Sequence, residues 1–534
     1  MERGWLWRVA LFAGVMGLSI SVTAQAASPM LRFPVVAYTS STPEFEGKHL
    51  ENVTLTIGTA PTALLERSDT RLRIAMPEGL PPGEYPVTVN AGTESYTIPS
   101  ALVVLPDDRI DAGTKGLVEF GPGDALEDEG RYLPDRALLL LNPAQLAAAR
   151  SRWQREGWQQ EFVQQPWSRG LSGVCGRALV GLKDTLGTKR TTVGGMNALV
   201  SSLYREKTAG FRVSGRMILR GPAGGMATTQ PASPPKFQPP APRLMGGDFR
   251  IVVLDTGLNP QALTLSSGTI DLKAARNLIF TSPWANTPQV SDDALERSLD
   301  GRVLPSQAVG HGTQVVETLL QDLPGIVVPL KGCDAEGRCE AASLVAGICY
   351  AVSLAHAPNP VRVLHLSLGS TEFNPLVYEA LQIASKNGIL IVTAAGNRRT
   401  LLDNPPIFPA VHTLNYEVKG VVSYPPIVGL ISVGSVRRSP AGDQPSDFSG
   451  LGSWVTLYAP GEDLPLHRAD STGLANFSGT SFAAPQVTAW LASLLAQHPE
   501  FTPAQAIEAL RADARAVSCG MVCDQQGETL LVLR

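Results

Sequence analysis

Four hydrophobic runs in the C-terminal half constrain the architecture most. They are Arg250-Ile251-Val252-Val253-Leu254, Val361-Arg362-Val363-Leu364-His365-Leu366, Ile389-Leu390-Ile391-Val392-Thr393 and Gly429-Leu430-Ile431-Ser432-Val433. Short, near-continuous apolar runs of this kind read as strands covered on both faces rather than half-solvated ones. The spacing between them leaves room for helices. Residues 247–534 are therefore expected to form an α/β domain, with a mainly parallel sheet flanked by helices. In such sheets, sites form beyond the carboxyl ends of the strands.

The rest of the chain changes texture several times. Residues 221–246 hold Pro222, Pro231, Pro234, Pro235, Pro239, Pro240 and Pro242 with little that can pack, and read as an extended, exposed linker open to nicking. Residues 132–220 read as a small α+β domain. Arg136–Leu141 is a strand, and Pro143–Glu156 a helix capped by Asn142 with proline at its first position. Trp158–Val163 follows as a strand; Arg177–Leu182 and Thr192–Glu206 repeat the strand–helix pair, and Phe211–Leu219 closes it. That order fits a ferredoxin-like domain. Residues 106–131, rich in Asp, Glu and Gly, read as a connector.

Residues 28–105 read as a β-sandwich domain of short alternating strands, such as Val53–Ile57 and Tyr85–Val89, between Gly and Pro turns. Pro81-Pro82-Gly83-Glu84-Tyr85 before a strand resembles the last hairpin of an Ig-like IPT/TIG domain. Phe45-Glu46-Gly47-Lys48-His49-Leu50 carries the same resemblance. Any small β-sandwich is the alternative.

Residues 1–26 read as a signal peptide. Arg3 and Arg8 precede an apolar run from Val9 to Val22, and Ala24-Gln25-Ala26 is a small-x-small cleavage site. The expected location is therefore outside the cytoplasm, extracellular or periplasmic, with no stable membrane anchor. A net charge of −4 carries no basic excess that would favour nucleic acid.

Export allows cysteines to pair. Cys333 with Cys339 and Cys519 with Cys523 stand close enough to close small loops. No His lies near either pair, so a zinc site is not indicated. Cys349, in the apolar run Leu344–Tyr350, reads as a small buried hydrophobe. Connectivity, including that of Cys175, stays open.

Three short segments fall at strand ends or helix starts of the last domain. Leu254-Asp255-Thr256-Gly257 puts a carboxylate just past a strand. Gly310-His311-Gly312-Thr313 sets a histidine between glycines. Ser478-Gly479-Thr480-Ser481-Phe482-Ala483-Ala484-Pro485 opens a strongly apolar helix. Each alone is a common turn or cap. An aspartic-protease reading of Asp255-Thr256-Gly257 needs a second such carboxylate motif, and the sequence has none. Together they supply an alcohol nucleophile, an imidazole base and an orienting carboxylate, in the order Asp, His, Ser.

On these motifs residues 249 to about 515 resemble the subtilisin-like serine peptidases, with Gly479–Pro485 as the most specific segment. The resemblance implies a catalytic triad of Asp255, His311 and Ser481, and hydrolysis of peptide bonds through an acyl-enzyme. It implies an oxyanion hole from the Asn397 amide and the Ser481 backbone N–H, with Asn397 in Thr393-Ala394-Ala395-Gly396-Asn397. Ser367, Leu368 and Gly369 match the family's substrate-binding strand, where a peptide adds by main-chain hydrogen bonds. Tyr458-Ala459-Pro460-Gly461 matches a family turn. Many relatives carry a ferredoxin-like propeptide just before the enzyme, where residues 132–220 stand. The expected molecule is thus a secreted zymogen whose partners are protein or peptide substrates and its own propeptide.

Two features depart from the pattern or stay unassigned. The family's small residues after the histidine are here Gln314-Val315-Val316-Glu317-Thr318, so that helix must pack differently. Many relatives bind calcium, but no Asp-rich loop assigns a site, so no metal or other cofactor is expected with certainty. Pro405–Tyr424 reads as a variable loop that shapes the specificity pocket. His49, His356, His365, His412, His467 and His498 lack a catalytic context. The alternative function is a non-catalytic binding or adhesion protein that keeps this fold.

Overall fold

The computed structural model describes residues 30–534 apart from 106–116, 121–131, 186–211, 221–225, 229–248, 264–269, 291–309, 321–324, 398–406, 419–421, 440–441, 469–472, 519–528 and isolated single positions. The signal-peptide segment, the expected helix at 192–206 and the Cys519–Cys523 pair lie outside the described residues.

Two five-stranded sheets form the N-terminal region. One runs Leu117–Phe120, Met30–Pro34, Glu44–Lys48, Arg71–Ala75, Ala63–Arg67; the other runs Val36–Tyr38, Glu94–Leu105, Gly83–Ala91, Val53–Ile57, Ala60–Pro61. Leu117–Phe120 falls in the stretch read as a connector, and it pairs antiparallel with Met30–Pro34. Phe45, Val53, Leu55, Ile57, Leu72, Val87 and Val89 are buried between neighbours of both sheets. Their alternation along the strands is the period-2 pattern that turns one face inward.

Next come β1 (Tyr132–Leu141), α1 (Leu146–Arg155), β2 (Trp158–Gln164), β3 (Ala178–Asp184) and β4 (Arg212–Arg220), followed by the short β5 (Met226–Thr228). The antiparallel order is β2-β3-β1-β4. Ala137, Leu139 and Leu141 of β1 face a core shared with Trp153 of α1, while Leu138 and Leu140 face the opposite way into the C-terminal domain.

The main elements of the C-terminal domain are β6 (Arg250–Asp255), α2 (His311–Leu320), β7 (Ile326–Lys331), β8 (Arg338–Glu340), α3 (Ala341–Ser353), β9 (Val361–Leu366), α4 (Pro375–Lys386), β10 (Leu390–Ala394), β11 (Leu430–Arg437), β12 (Leu457–Pro460), β13 (Leu464–His467), β14 (Leu474–Ser478), α5 (Thr480–Gln497) and α6 (Pro503–Asp513), with several shorter strands between and after them. The central strands run β7-β6-β9-β10-β11-β12, all parallel. Val252, Leu254, Val328, Leu330 and Leu364 pack on α3 and α4. Ile251, Val253, Val327, Val363 and Val392 pack on α2, α5 and α6. Both faces of the sheet are thus covered, which explains why the four runs lack polar alternation. Strand order reverses at β6, which lies between β7 and β9 although β7 follows it in sequence. A crevice opens outside the carboxyl ends at such a point. β6 ends there at Asp255, and the segment after β9 starts there at Ser367.

Helix α5 begins directly after β14, at Thr480, and carries Pro485 in its second turn. Proline there removes the N–H that would donate to the Ser481 carbonyl one turn back, and that carbonyl accepts from the Ser367 hydroxyl at 2.7 Å instead. Gln314, Val315 and Val316 of α2 are fully buried against β6 and α5. The bulkier residues after His311 are thereby accommodated within the regular helix.

Two chain pairings tie the regions together. β4 pairs antiparallel with β8, Leu219 opposite Cys339, and β5 pairs antiparallel with β14, Met226 opposite Ser478. The disulfide Cys333–Cys339 closes the loop before β8, as the spacing suggested. Cys349 requires a correction. It is buried, but it is bonded to Cys175 across 174 residues rather than acting as a free hydrophobe. Its apolar surroundings reflect the interface between β1–β4 and α3, where a disulfide is as well buried as a leucine.

Candidate active site

The carboxylate and the imidazole meet at the end of β6. Asp255 Oδ1 accepts from its neighbour Thr256 N–H at 2.7 Å and lies 2.7 Å from His311 Nδ1. Asp255 is almost fully buried, which strengthens both contacts. Its main-chain carbonyl accepts from Gly332 N–H (2.9 Å) and Cys333 N–H (3.1 Å), so the disulfide-closed loop grips the strand end. The fully buried Lys331 donates its ammonium to the Thr256 carbonyl, and Thr256 Oγ1 accepts from Gly312 N–H at 2.9 Å. A Cβ on Gly312 would lie 2.2 Å from the Gly257 carbonyl oxygen. Only glycine lets the start of α2 come this close to the Asp255 loop, and that approach sets His311 on Asp255.

Ser481 is the second residue of α5 and is buried. Its hydroxyl donates to the Ser367 carbonyl at 3.3 Å, and the Ser367 hydroxyl donates to the Ser481 carbonyl at 2.7 Å. The His311 ring centroid lies 5.7 Å from that of Phe482, the residue after Ser481. The first N–H groups of a helix have no helical acceptor, and the Ser481 N–H is one of them. Helix dipole and free donor together favour negative charge there.

Asn397 follows the end of β10. Its Oδ1 accepts from both Thr480 N–H and Thr480 Oγ1–H, each at 2.8 Å. A backbone N–H can only donate, so the oxygen must face Thr480 and the amide NH2 must point away from it. Thr480 Oγ1 in turn accepts from Gly396 N–H at 3.2 Å. The donor end of Asn397 is thus oriented by the residue before Ser481.

Leu368 and Gly369 continue from Ser367 past an apolar pocket walled by Leu344, Ile348, Leu381, Phe408 and His412. Ser370 and Phe408 exchange main-chain hydrogen bonds at 2.9 and 2.7 Å, so the first part of the 405–424 loop forms one wall of that pocket.

In the sequence His365 has no catalytic context, yet it lies behind Ser481, joined to it through Ser367. It is fully buried; Nδ1 lies 2.8 Å from Thr488 Oγ1 and Nε2 lies 2.8 Å from Ser367 Oγ. A neutral imidazole there accepts from one hydroxyl and donates to the other. The available signal was its position two residues before Ser367 in an apolar strand, which puts both side chains on one face. Thr480, Thr488 and Lys331 had no sequence signal of this kind.

Burial pushes the His365 pKa down to about 4, with Asp255 pulling it up and His311 pushing it down. Burial also lowers His412 to about 4. Both folded values lie below the ordinary 6.5, so the unfolded chain binds protons first as pH falls. The stability from these neutral histidines is full above about pH 6.5 and is lost progressively down to pH 4, on the order of 3 kcal/mol for His365. Urea unfolding of the Ser481→Ala variant should therefore show a loss over that window that His412→Phe makes shallower. An unchanged slope in His412→Phe would contradict the assignment for that residue.

The subtilase family profile (Peptidase_S8) matches residues 246–528. Subtilisin-like protease 3 of Arthroderma benhamiae is 31% identical over 217 residues, which cover 39% of this chain and 48% of that protein. Subtilisin-like protease 5 of the same organism is 29% identical over 246 residues, covering 42% and 57%. The chain thus spans about half the length of the curated relatives it matches. A solved cold-adapted subtilisin-like serine proteinase aligns over 55% of this chain and 90% of its own, at 23% identity and a TM-score of 0.40. The profile match takes in more than half of the 534 residues and contains Asp255, His311, Asn397 and Ser481, and on that match the chain belongs to the subtilase family.

Proposed function

We propose that this protein is a secreted serine endopeptidase, made as a zymogen, that hydrolyses peptide bonds through Asp255, His311 and Ser481. The observation that carries the reading is the 2.7 Å contact between buried Asp255 Oδ1 and His311 Nδ1. A carboxylate on Nδ1 fixes the proton there, which makes Nε2 the basic nitrogen. The Ser481 hydroxyl turns from the Ser367 carbonyl toward Nε2 when substrate binds; catalytic contacts are often incomplete before that. His311 takes the hydroxyl proton as Oγ bonds to the peptide carbonyl carbon. Asp255 stabilises the imidazolium. The carbonyl oxygen, now negative, is held by the Ser481 N–H and the Asn397 amide, each such donor worth roughly 3–4 kcal/mol in the transition state. The imidazolium then protonates the leaving amine as the C–N bond breaks. Water, deprotonated by His311, releases the acyl group and restores Ser481.

Substrate would lie along Ser367, Leu368 and Gly369 by main-chain hydrogen bonds, with an apolar side chain over the adjoining pocket. Residues 132–220 would act as the propeptide, their strand order being that of a ferredoxin-like fold. The cut would fall within residues 221–248; β4 ends just before that stretch and pairs with β8, and β5 lies inside it and pairs with β14. Residues 28–105 are read as the Ig-like or other β-sandwich module.

A fluorophosphonate probe tests the reading directly. It should label Ser481 in the processed, folded protein, and His311→Ala should slow labelling by orders of magnitude. Folded wild-type protein that takes up no probe would overturn the reading in favour of a non-catalytic binding protein.

A further inference from the structure

We propose that the Cys175–Cys349 disulfide keeps residues 132–220 bound to the enzyme after the linker is cut, so that this domain is a captive subunit rather than a released propeptide. The cut itself rests on the function proposed above; the tether does not.

The covalent argument is topological. Cys175 lies in the turn Gly173–Gly176, before the linker, and Cys349 lies in α3, after it. Hydrolysis of any peptide bond between them opens the backbone but leaves one sulfur–sulfur bond joining the two pieces. Among the described residues, the other disulfide, Cys333–Cys339, lies wholly within the C-terminal piece.

The surroundings of the bond are a fitted interface. Trp167 Nε1–H donates to the Ala346 carbonyl at 2.8 Å, and its ring lies 4.7 Å from that of Tyr350, the next residue after Cys349. Glu379 of α4 accepts from Val174 N–H at 2.9 Å, capping the turn that carries Cys175. Gly173 has a positive φ, and a Cβ there would lie 2.6 Å from the Glu379 carboxylate. Phe162 of β2 stacks on Phe280 at 4.3 Å. Cys175 and Cys349 are themselves almost fully buried, so a reductant reaches them only when the interface opens.

A noncovalent propeptide leaves on dilution, whereas a tethered one keeps an effective concentration on the order of millimolar at its own site. While it stays, β4 occupies the edge of β8, and Cys339 of β8 lines the pocket beside Leu368 and Gly369. The captive domain therefore holds part of the substrate cleft until the disulfide is reduced or the domain is degraded.

Denaturing gels with and without dithiothreitol read the tether. Cut wild-type protein should run as one full-length species without reductant and as two with it, two thiols of the reagent exchanging for the protein's sulfur–sulfur bond. Cys175→Ser should give two species in both lanes. Its separated C-terminal chain should hydrolyse a peptide at nanomolar concentration at least about tenfold faster than the cut wild type. A second arm uses Ser481→Ala with a recognition site for an unrelated endopeptidase inserted in the linker. Cleavage there should also leave one species until reductant is added, even if the chain never cuts itself. Two species without reductant from the wild type, or from the Ser481→Ala chain cut in the linker, would overturn the tether. Failure of the wild type to cut, with the second arm as expected, would instead count against the catalytic reading alone.

Discussion

Ser481→Ala is expected to lower kcat for peptide hydrolysis by about 10⁶-fold and to leave the chain uncut within residues 221–248. Without Oγ no acyl-enzyme can form, and what remains is water attacking a carbonyl held by the Asn397 amide and the Ser481 N–H. Those donors and substrate binding alone retain roughly 10³–10⁴-fold over uncatalysed hydrolysis. The fold should be indifferent to the change. The lost contact is one long hydrogen bond, 3.3 Å to the Ser367 carbonyl, and alanine suits the first turn of α5. Steady-state rates on a chromogenic peptide, with a melting temperature for each protein, check both halves. Hydrolysis within tenfold of wild type by the folded variant would remove Ser481 from the mechanism.

Asp255→Ala should cost about 10⁴-fold in kcat with little change in KM, because it removes the group that holds the proton on Nδ1 and stabilises the imidazolium. The amide variant separates those two roles. Oδ1 receives both Thr256 N–H and the His311 ring nitrogen. In Asp255→Asn the Thr256 N–H selects the amide oxygen for that shared position, so the tautomer survives and only the charge is lost. Asp255→Asn should thus lie between wild type and Asp255→Ala. Equal loss in the two variants would mean that charge, not proton placement, is what Asp255 supplies.

The legible parts of this chain were those set by local pattern. The strands at Arg250–Asp255, Val361–Leu366 and Leu390–Ala394 could be read because burial on both faces strips a strand of polar residues. The site could be read because three motifs fall at strand ends and helix starts in one order. What escaped was long-range pairing. Cys349 reads as a hydrophobe because its neighbours in sequence are apolar, and its partner lies 174 residues away in another domain. Thr480 aims the Asn397 amide from 83 residues away, and nothing in either segment encodes that distance. His365 was visible as a polar residue in an apolar strand, but its use depends on Thr488, which only the packing of α5 on β9 brings near. The strand Leu117–Phe120 was hidden by the acidic, glycine-rich residues around it, which masked a segment able to complete a sheet edge.

The pairings of β4 on β8, just before the linker, and of β5 on β14, within it, bear on how maturation responds to concentration. On the proposed function, the bond to be cut belongs to a segment anchored on both sides within the same molecule. Its encounter with Ser481 is then intramolecular, with the entropy of association already spent in folding. The first turnover of each chain is therefore a private, first-order event. A precursor molecule diluted far from any other copy matures on the same clock as one in a crowd.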